Sequence, residues 1–119
     1  MKSARHIVIV LVTAPEPRVA RKIAKAVLKA RLAACVNILP RIKSHYWWKG
    51  KLESGAEVLM IIKTTRAKLA ALESKVLDEH PYDTPEVISF SLSSSNAKYL
   101  KWLMDSVRQG ALSQRAEAC

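Results

Sequence analysis

Near its start the chain carries a continuous run of branched apolar residues, Ile7 to Val12, which predicts a short central strand buried on both faces. Thr13-Ala14-Pro15-Glu16-Pro17 breaks it. From Arg18 to Leu32, Val19, Ala20, Ile23, Ala24, Val27 and Leu28 recur at helical spacing, with Arg18, Arg21, Lys22, Lys25 and Lys29 between them. The helix predicted there has an almost purely cationic outer face.

The next segment, Cys35 to Trp48, is rich in Val, Ile, Tyr and Trp but contains Pro40. A proline removes a ladder donor, so a long strand with a bulge or bend is expected. Lys49-Gly50-Lys51 supplies a turn, and Glu57 to Thr64 returns as a second apolar strand, with Ser54-Gly55 as an expected irregularity. Together they form a long hairpin with indoles at its tip. Arg66 to Glu79 again has helical spacing and must end before Pro81. Glu86 to Leu92 alternates as a fourth strand, and Asn96 is placed to cap a last helix, Ala97 to Arg108, that buries Tyr99 or Leu100 with Leu103 and ends near Gly110.

The order βαββαβ with a terminal helix predicts an α+β fold: a ferredoxin-like sandwich in which one face of an antiparallel four-stranded sheet carries both crossover helices. The other face is left bare. Val36, Ile38, Tyr46, Trp48, Met60 and Ile62 are assigned to it, and exposed apolar sheet surface implies a partner. A closed cyclic oligomer of the chain itself satisfies that need.

Composition bounds this picture. At 119 residues the chain holds one domain, residues 1–110, followed by a polar, flexible tail, 111–119. The net charge of +10 attracts polyanions without specificity. No specific nucleic-acid partner is expected, because the aromatic residues that stack on single-stranded bases are concentrated in the expected interface. No stretch reaches the roughly 18 apolar residues of a membrane span, and Ile7 to Leu11 is too short for a secretory signal. The expectation is a chain with no membrane partner, in the cytoplasm. Its two cysteines, Cys35 in an apolar run and Cys119 after a polar stretch, are expected as free thiols in a reducing compartment, since a bond between them needs the tail to fold back.

No Ser/His/Asp arrangement, P-loop, HExxH helix, CxxC pair or GxGxxG turn occurs, so neither an enzyme nor an organic cofactor is expected. His80 is the leading candidate ligand, because a neutral imidazole suits Cu(II) and Zn(II). The competing reading is a histidine that caps the helix before Pro81. Cys35 reads as core unless a cation such as Lys63 approaches it. Tyr46, Trp47 and Trp48 alternate in direction along a strand, which favours interface packing over ligand stacking and turns Trp47 away from its neighbours.

Six blocks together resemble one known family: VTAP at Val12 to Pro15, LAACVNILP at Leu32 to Pro40, SHYWWKGKLES at Ser44 to Ser54, EVLMIIKT at Glu57 to Thr64, HPYDTPEVI at His80 to Ile88 and YLKWL at Tyr99 to Leu103. In order and spacing they are similar to the CutA family of divalent-cation tolerance proteins, over roughly residues 8 to 103. The resemblance implies a homotrimer, similar in architecture to the PII signalling proteins, with Tyr46, Trp47 and Trp48 in the trimer interface. It implies a function in tolerance of copper or another divalent metal, and a cleft between subunits around Cys35, Trp48, Glu57, Lys63, Tyr82 and Glu86. Family members with the clearest copper site carry a second His and a Cys where this chain has Glu79 and Val12. The metal ligands implied here are therefore His80 and Glu79, a harder set than the family's. A signalling or scaffold trimer binding a small anion or a protein at those clefts is the alternative.

Overall fold

The structure, a computed structural model, describes residues 1–108 and 118–119. Its main sheet has four antiparallel strands in the order β3-β4-β2-β5: β2 (Ile7–Ala14), β3 (Cys35–Trp48), β4 (Lys51–Thr65) and β5 (Val87–Ser91). Helix α1 (Pro17–Lys29) joins β2 to β3, and α2 (Leu69–Glu79), entered through a 3-10 turn at Arg66–Lys68, joins β4 to β5. A two-residue ladder outside the predicted set pairs β1 (Lys2–Ser3) with β6 (Ser94–Ser95), and α3 (Ala97–Ser106) follows.

Each helix is fixed at its ends by identifiable groups. Pro17 sits at the first position of α1, where its missing N–H costs nothing. At the other end Leu32 N–H donates to the Val27 carbonyl and Arg31 N–H to that of Leu28, closing a Schellman motif with Arg31 in the left-handed region at φ 59°. The Arg31 guanidinium donates to the Ser106 carbonyl at 2.9 Å, tying the end of α1 to α3. Asn96 caps α3 as expected, its Oδ1 accepting from Tyr99 N–H at 2.8 Å.

The main core lies between the sheet and the two crossover helices. Ala20, Ile23 and Val27 of α1 and Leu72 and Val76 of α2 pack on Val8, Val10, Val12, Met60 and Ile62. A smaller cluster under α3 joins Leu103 to Ala4 and Ile7.

Two expectations about the hairpin are corrected by its register. No irregularity occurs at Ser54-Gly55, since Gly55 pairs squarely with Ser44. The irregularity lies at Pro40, where Leu39 opposes Leu59 but Ile42 opposes Glu57, three residues of β3 against two of β4. That extra residue inverts which β3 side chains share a face. Val36, Ile38, Met60 and Ile62, assigned above to the bare face, instead turn toward the helices, with Met60 and Ile62 wholly buried. Beyond the bulge Tyr46 and Trp48 pair with Glu53 and Lys51, so they share the bare face with Glu57, Leu59, Ile61 and Lys63. Trp47 opposes Leu52 on the other side, as its position in the strand predicted.

The turn at the hairpin tip has two central residues, Lys49 and Gly50, both at positive φ (50° and 78°). That conformation matches the twist of the flanking strands.

Cys35 and Cys119 are joined by a disulfide, across a sequence separation of 84. The expected pair of free thiols is thereby corrected: Cys119 lies against the first residue of β3. Residues 111–117 of the expected flexible tail, and Gly110, lie outside the described residues. Among the described residues no helix is long and apolar enough to cross a membrane.

Candidate functional site

Pro81 ends α2, and the extended segment behind it carries His80 and Tyr82 back over the end of β2. His80 is 9% exposed, and both of its ring nitrogens are engaged. Tyr82 N–H donates to Nδ1 at 3.1 Å, which leaves Nε2 to carry the proton and donate to the Thr13 carbonyl at 2.7 Å. The imidazole and the Tyr82 ring lie 4.7 Å apart, tilted.

From there the Tyr82 hydroxyl reaches β4 and donates to Glu57 Oε2 at 2.6 Å. Burial, followed by the hydrogen bond to Glu57, the charge of Glu57 and the presence of Tyr46, pushes the Tyr82 phenol well above its ordinary range. Tyr46, Glu57, Tyr82 and His80 thus form one polar group at the α2 end of the bare face.

Cys35 and Lys63 form a second group. They are register partners, so their side chains project from the same face of the sheet. Lys63 Nζ stands 5.7 Å over the Tyr99 ring, and Asn37 Nδ2 approaches the Cys119 sulfur at 3.8 Å. Along β4, Glu57 and Lys63 are six residues apart, or roughly 20 Å at about 3.3 Å per residue. Within one subunit the residues expected around a single cleft therefore divide between two ends of the sheet. Trp48 lies toward the hairpin tip beneath the Lys49 ammonium, and Glu86 is exposed ahead of β5.

His80 and Glu79 as placed do not fit a metal ion. Both imidazole nitrogens hold the fold together, and the Glu79 carboxylate pairs with Lys22 at 3.4 Å. Among the described residues no three of His, Cys, Asp and Glu gather closely enough to hold one. Sequence reasoning missed the Thr13 carbonyl, the partner that occupies the imidazole; a main-chain acceptor leaves no mark in residue identity.

The profile of the CutA1 divalent ion tolerance protein matches residues 8–106, nearly the whole described fold. The chain belongs to the CutA1 family. The divalent-cation tolerance protein CutA of Pectobacterium atrosepticum is 44% identical over 101 residues, 85% of this chain and 92% of that one. The crystal structure of CutA1 from Oryza sativa superposes with a TM-score of 0.85 at 43% identity, covering 90% of this chain and 98% of that one. The CutA homolog of Xenopus laevis is 49% identical over 96 residues. This CutA-family chain spans 58% of the length of the chloroplastic rice relative and 64% of the frog one. The mixed α+β architecture with its antiparallel sheet is the one these CutA1 structures share.

Proposed function

We propose that this chain is a ferredoxin-like subunit of a homotrimer serving divalent-cation tolerance, with no catalytic step of its own. The observation that carries the reading is the uncovered apolar surface on a subunit of this size. Ile88 and Phe90 on β5 and Leu39 on β3 are about half exposed, and Trp47 at the hairpin tip is 72% exposed. A contiguous apolar sheet face with an aromatic tip beyond it is the kind of surface that association covers. A closed rotation of copies of the chain is the ordinary way such a face is covered, and a trimer is the member of that set the family resemblance favours.

In this reading Cu(II) or another divalent ion is held by groups from more than one subunit, since His80 and Glu79 of one subunit are already engaged. Light scattering after size exclusion tests the assembly, with three times the 13.3 kDa chain mass expected and a monomer at micromolar concentration against it. Calorimetry with Cu(II) and Zn(II) tests the metal. Heat that saturates only in assembled protein supports a shared site, and no heat at all refutes one.

A second reading, a PII-like signalling trimer that takes a small anion, is favoured by the cationic side of α1. Lys29 and Arg31 line a groove of about 390 Å³ with Ala33, Ala34 and Ser106. Thermal shift with nucleotides and dicarboxylates separates the two, because an anion bound there raises the melting temperature with ligand concentration.

A further inference from the structure

His6 and Met104 meet on the outside of the subunit across a sequence separation of 98, with the imidazole Nε2 and the thioether sulfur 3.3 Å apart. Each stands one position along the chain from a buried anchor. Ile7 is wholly buried and Leu103 nearly so, and the two belong to one core cluster. The main chain of His6 is held as well: its carbonyl accepts from Arg66 N–H at 2.8 Å, and the next amide, Ile7 N–H, donates to the Ala4 carbonyl at 2.9 Å. The pair is therefore carried by a packed seam between the start of β2 and α3, which fixes its geometry in advance.

Geometry and donor chemistry agree on one class of ligand. For metal bonds of roughly 2.0 Å to nitrogen and roughly 2.3 Å to sulfur, an angle of about 100–120° at the ion keeps the two donors roughly 3.3–3.7 Å apart. The separation found here falls at the near end of that range. A thioether is a soft, neutral donor that selects Cu(I), and imidazole suits copper too. With the ring proton on Nδ1, the Nε2 lone pair and those of the sulfur converge, and a cation between them relieves their repulsion. The surroundings set its charge. Lys2 and Lys101 line the hollow beside Met104, and Asp105, the acidic residue of α3, is engaged by Lys101 at 2.7 Å and Arg108 at 3.8 Å. A cationic neighbourhood repels a divalent ion about twice as strongly as a monovalent one.

We propose that His6 Nε2 and Met104 Sδ form a site for a soft monovalent cation, Cu(I), complete within one subunit. It uses neither His80 nor Glu79 and needs no second copy, so it goes beyond the shared divalent site considered above. Met104 is 43% exposed, which leaves the ion open to exchange with solvent-borne thiolates.

The test uses the full chain with Cys35 and Cys119 in their disulfide, checked by intact mass after alkylation, so that no thiol competes for the ion. Ag(I), a soft monovalent stand-in for Cu(I) that does not change oxidation state, is titrated into protein labelled with ¹³C at its three methionine methyls, Met1, Met60 and Met104. The Met104 methyl and the His6 ring are expected to shift together and saturate at one ion per chain, while Met1, exposed and alone, moves only in excess. Zn(II) is expected to leave the Met104 methyl in place. Met104→Leu and His6→Ala, both at exposed positions, are each expected to weaken binding roughly tenfold or more with unchanged far-UV circular dichroism. A Met104 methyl that does not move, or one that moves no earlier than Met1, overturns the site. So does either variant binding Ag(I) as tightly as the parent, which leaves the contact as a hydrogen bond from Nε2–H to sulfur. A Zn(II) shift equal to that of Ag(I) overturns its selectivity for a soft ion. These readouts are the same for a monomer or a trimer, so the site stands or falls independently of assembly.

Discussion

Tyr82 donates its phenolic proton to Glu57 at 2.6 Å, joining the segment after α2 to a strand two places away in the sheet. The same residue offers its main-chain N–H to His80, whose Nε2 donates to the Thr13 carbonyl, so two side chains tie the segment after α2 to the sheet. Replacing Tyr82 by Phe is expected to lower stability by about 1 kcal/mol in chemical denaturation at neutral pH.

The same contact sets an alkaline limit. The folded phenol titrates above its unfolded value near 10, through burial first and Glu57 second. Above about pH 10 the unfolded chain has lost a proton that the folded chain keeps, so this contribution is intact below that pH and declines as pH rises. Denaturation midpoints taken at rising pH are expected to fall in the parent chain and to fall less in Tyr82→Phe. Equal alkaline slopes would show that Tyr82 is not the group responsible.

His80→Ala is expected to destabilise the subunit by about 2 kcal/mol, because it leaves the part-buried Thr13 carbonyl and the Tyr82 amide without their partner. A metal-centred role gives a different signature. If the imidazole serves the fold, a strong chelator leaves the melting temperature of the parent chain unchanged, and the loss in His80→Ala is the same with and without it.

Core and surface positions should separate cleanly. Leu72 is wholly buried between α2 and the sheet, so Leu72→Ala is expected to cost about 2–5 kcal/mol in subunit stability. Trp47 is largely exposed on a single subunit, and Trp47→Ala is expected to weaken assembly with little change in far-UV circular dichroism. Dilution-dependent light scattering on both variants checks this, and a Trp47→Ala trimer as tight as the parent removes the hairpin tip from the interface.

At the tip itself, an added Cβ on Gly50 meets no atom within 4 Å, so any penalty of Gly50→Ala comes from the positive φ alone. About 1 kcal/mol is expected. A loss well beyond that, measured by thermal unfolding, points to a neighbouring copy packed against the turn.

Much of the fold was legible in residue order. The helical spacing of Val19 to Leu28, the capping Asn96, the Lys49-Gly50 turn and the break before Pro81 all depend on neighbours within a few residues, and each is found where the pattern puts it. The bulge at Pro40 was legible too, but its consequence was not. A strand's faces alternate with period two, so a single extra residue between Leu39 and Ile42 moved Tyr46 and Trp48 onto the face of Lys63 and turned Val36 and Ile38 inward. Hydrophobic pattern cannot count that residue when both faces are apolar.

The candidate site divides in the same way. Residue identities marked His80, Cys35 and Lys63, and the six-block resemblance added Tyr82 and Glu57 and pointed to the family. Only the tertiary structure decided that His80 spends both nitrogens on Thr13 and Tyr82, that Tyr82 reaches Glu57, and that Cys119 closes on Cys35. Local preferences act over a turn of helix or a pair of strand residues, whereas Tyr82 and Glu57, His80 and Thr13, and Cys119 and Cys35 lie 25, 67 and 84 residues apart and meet only through the tertiary fold.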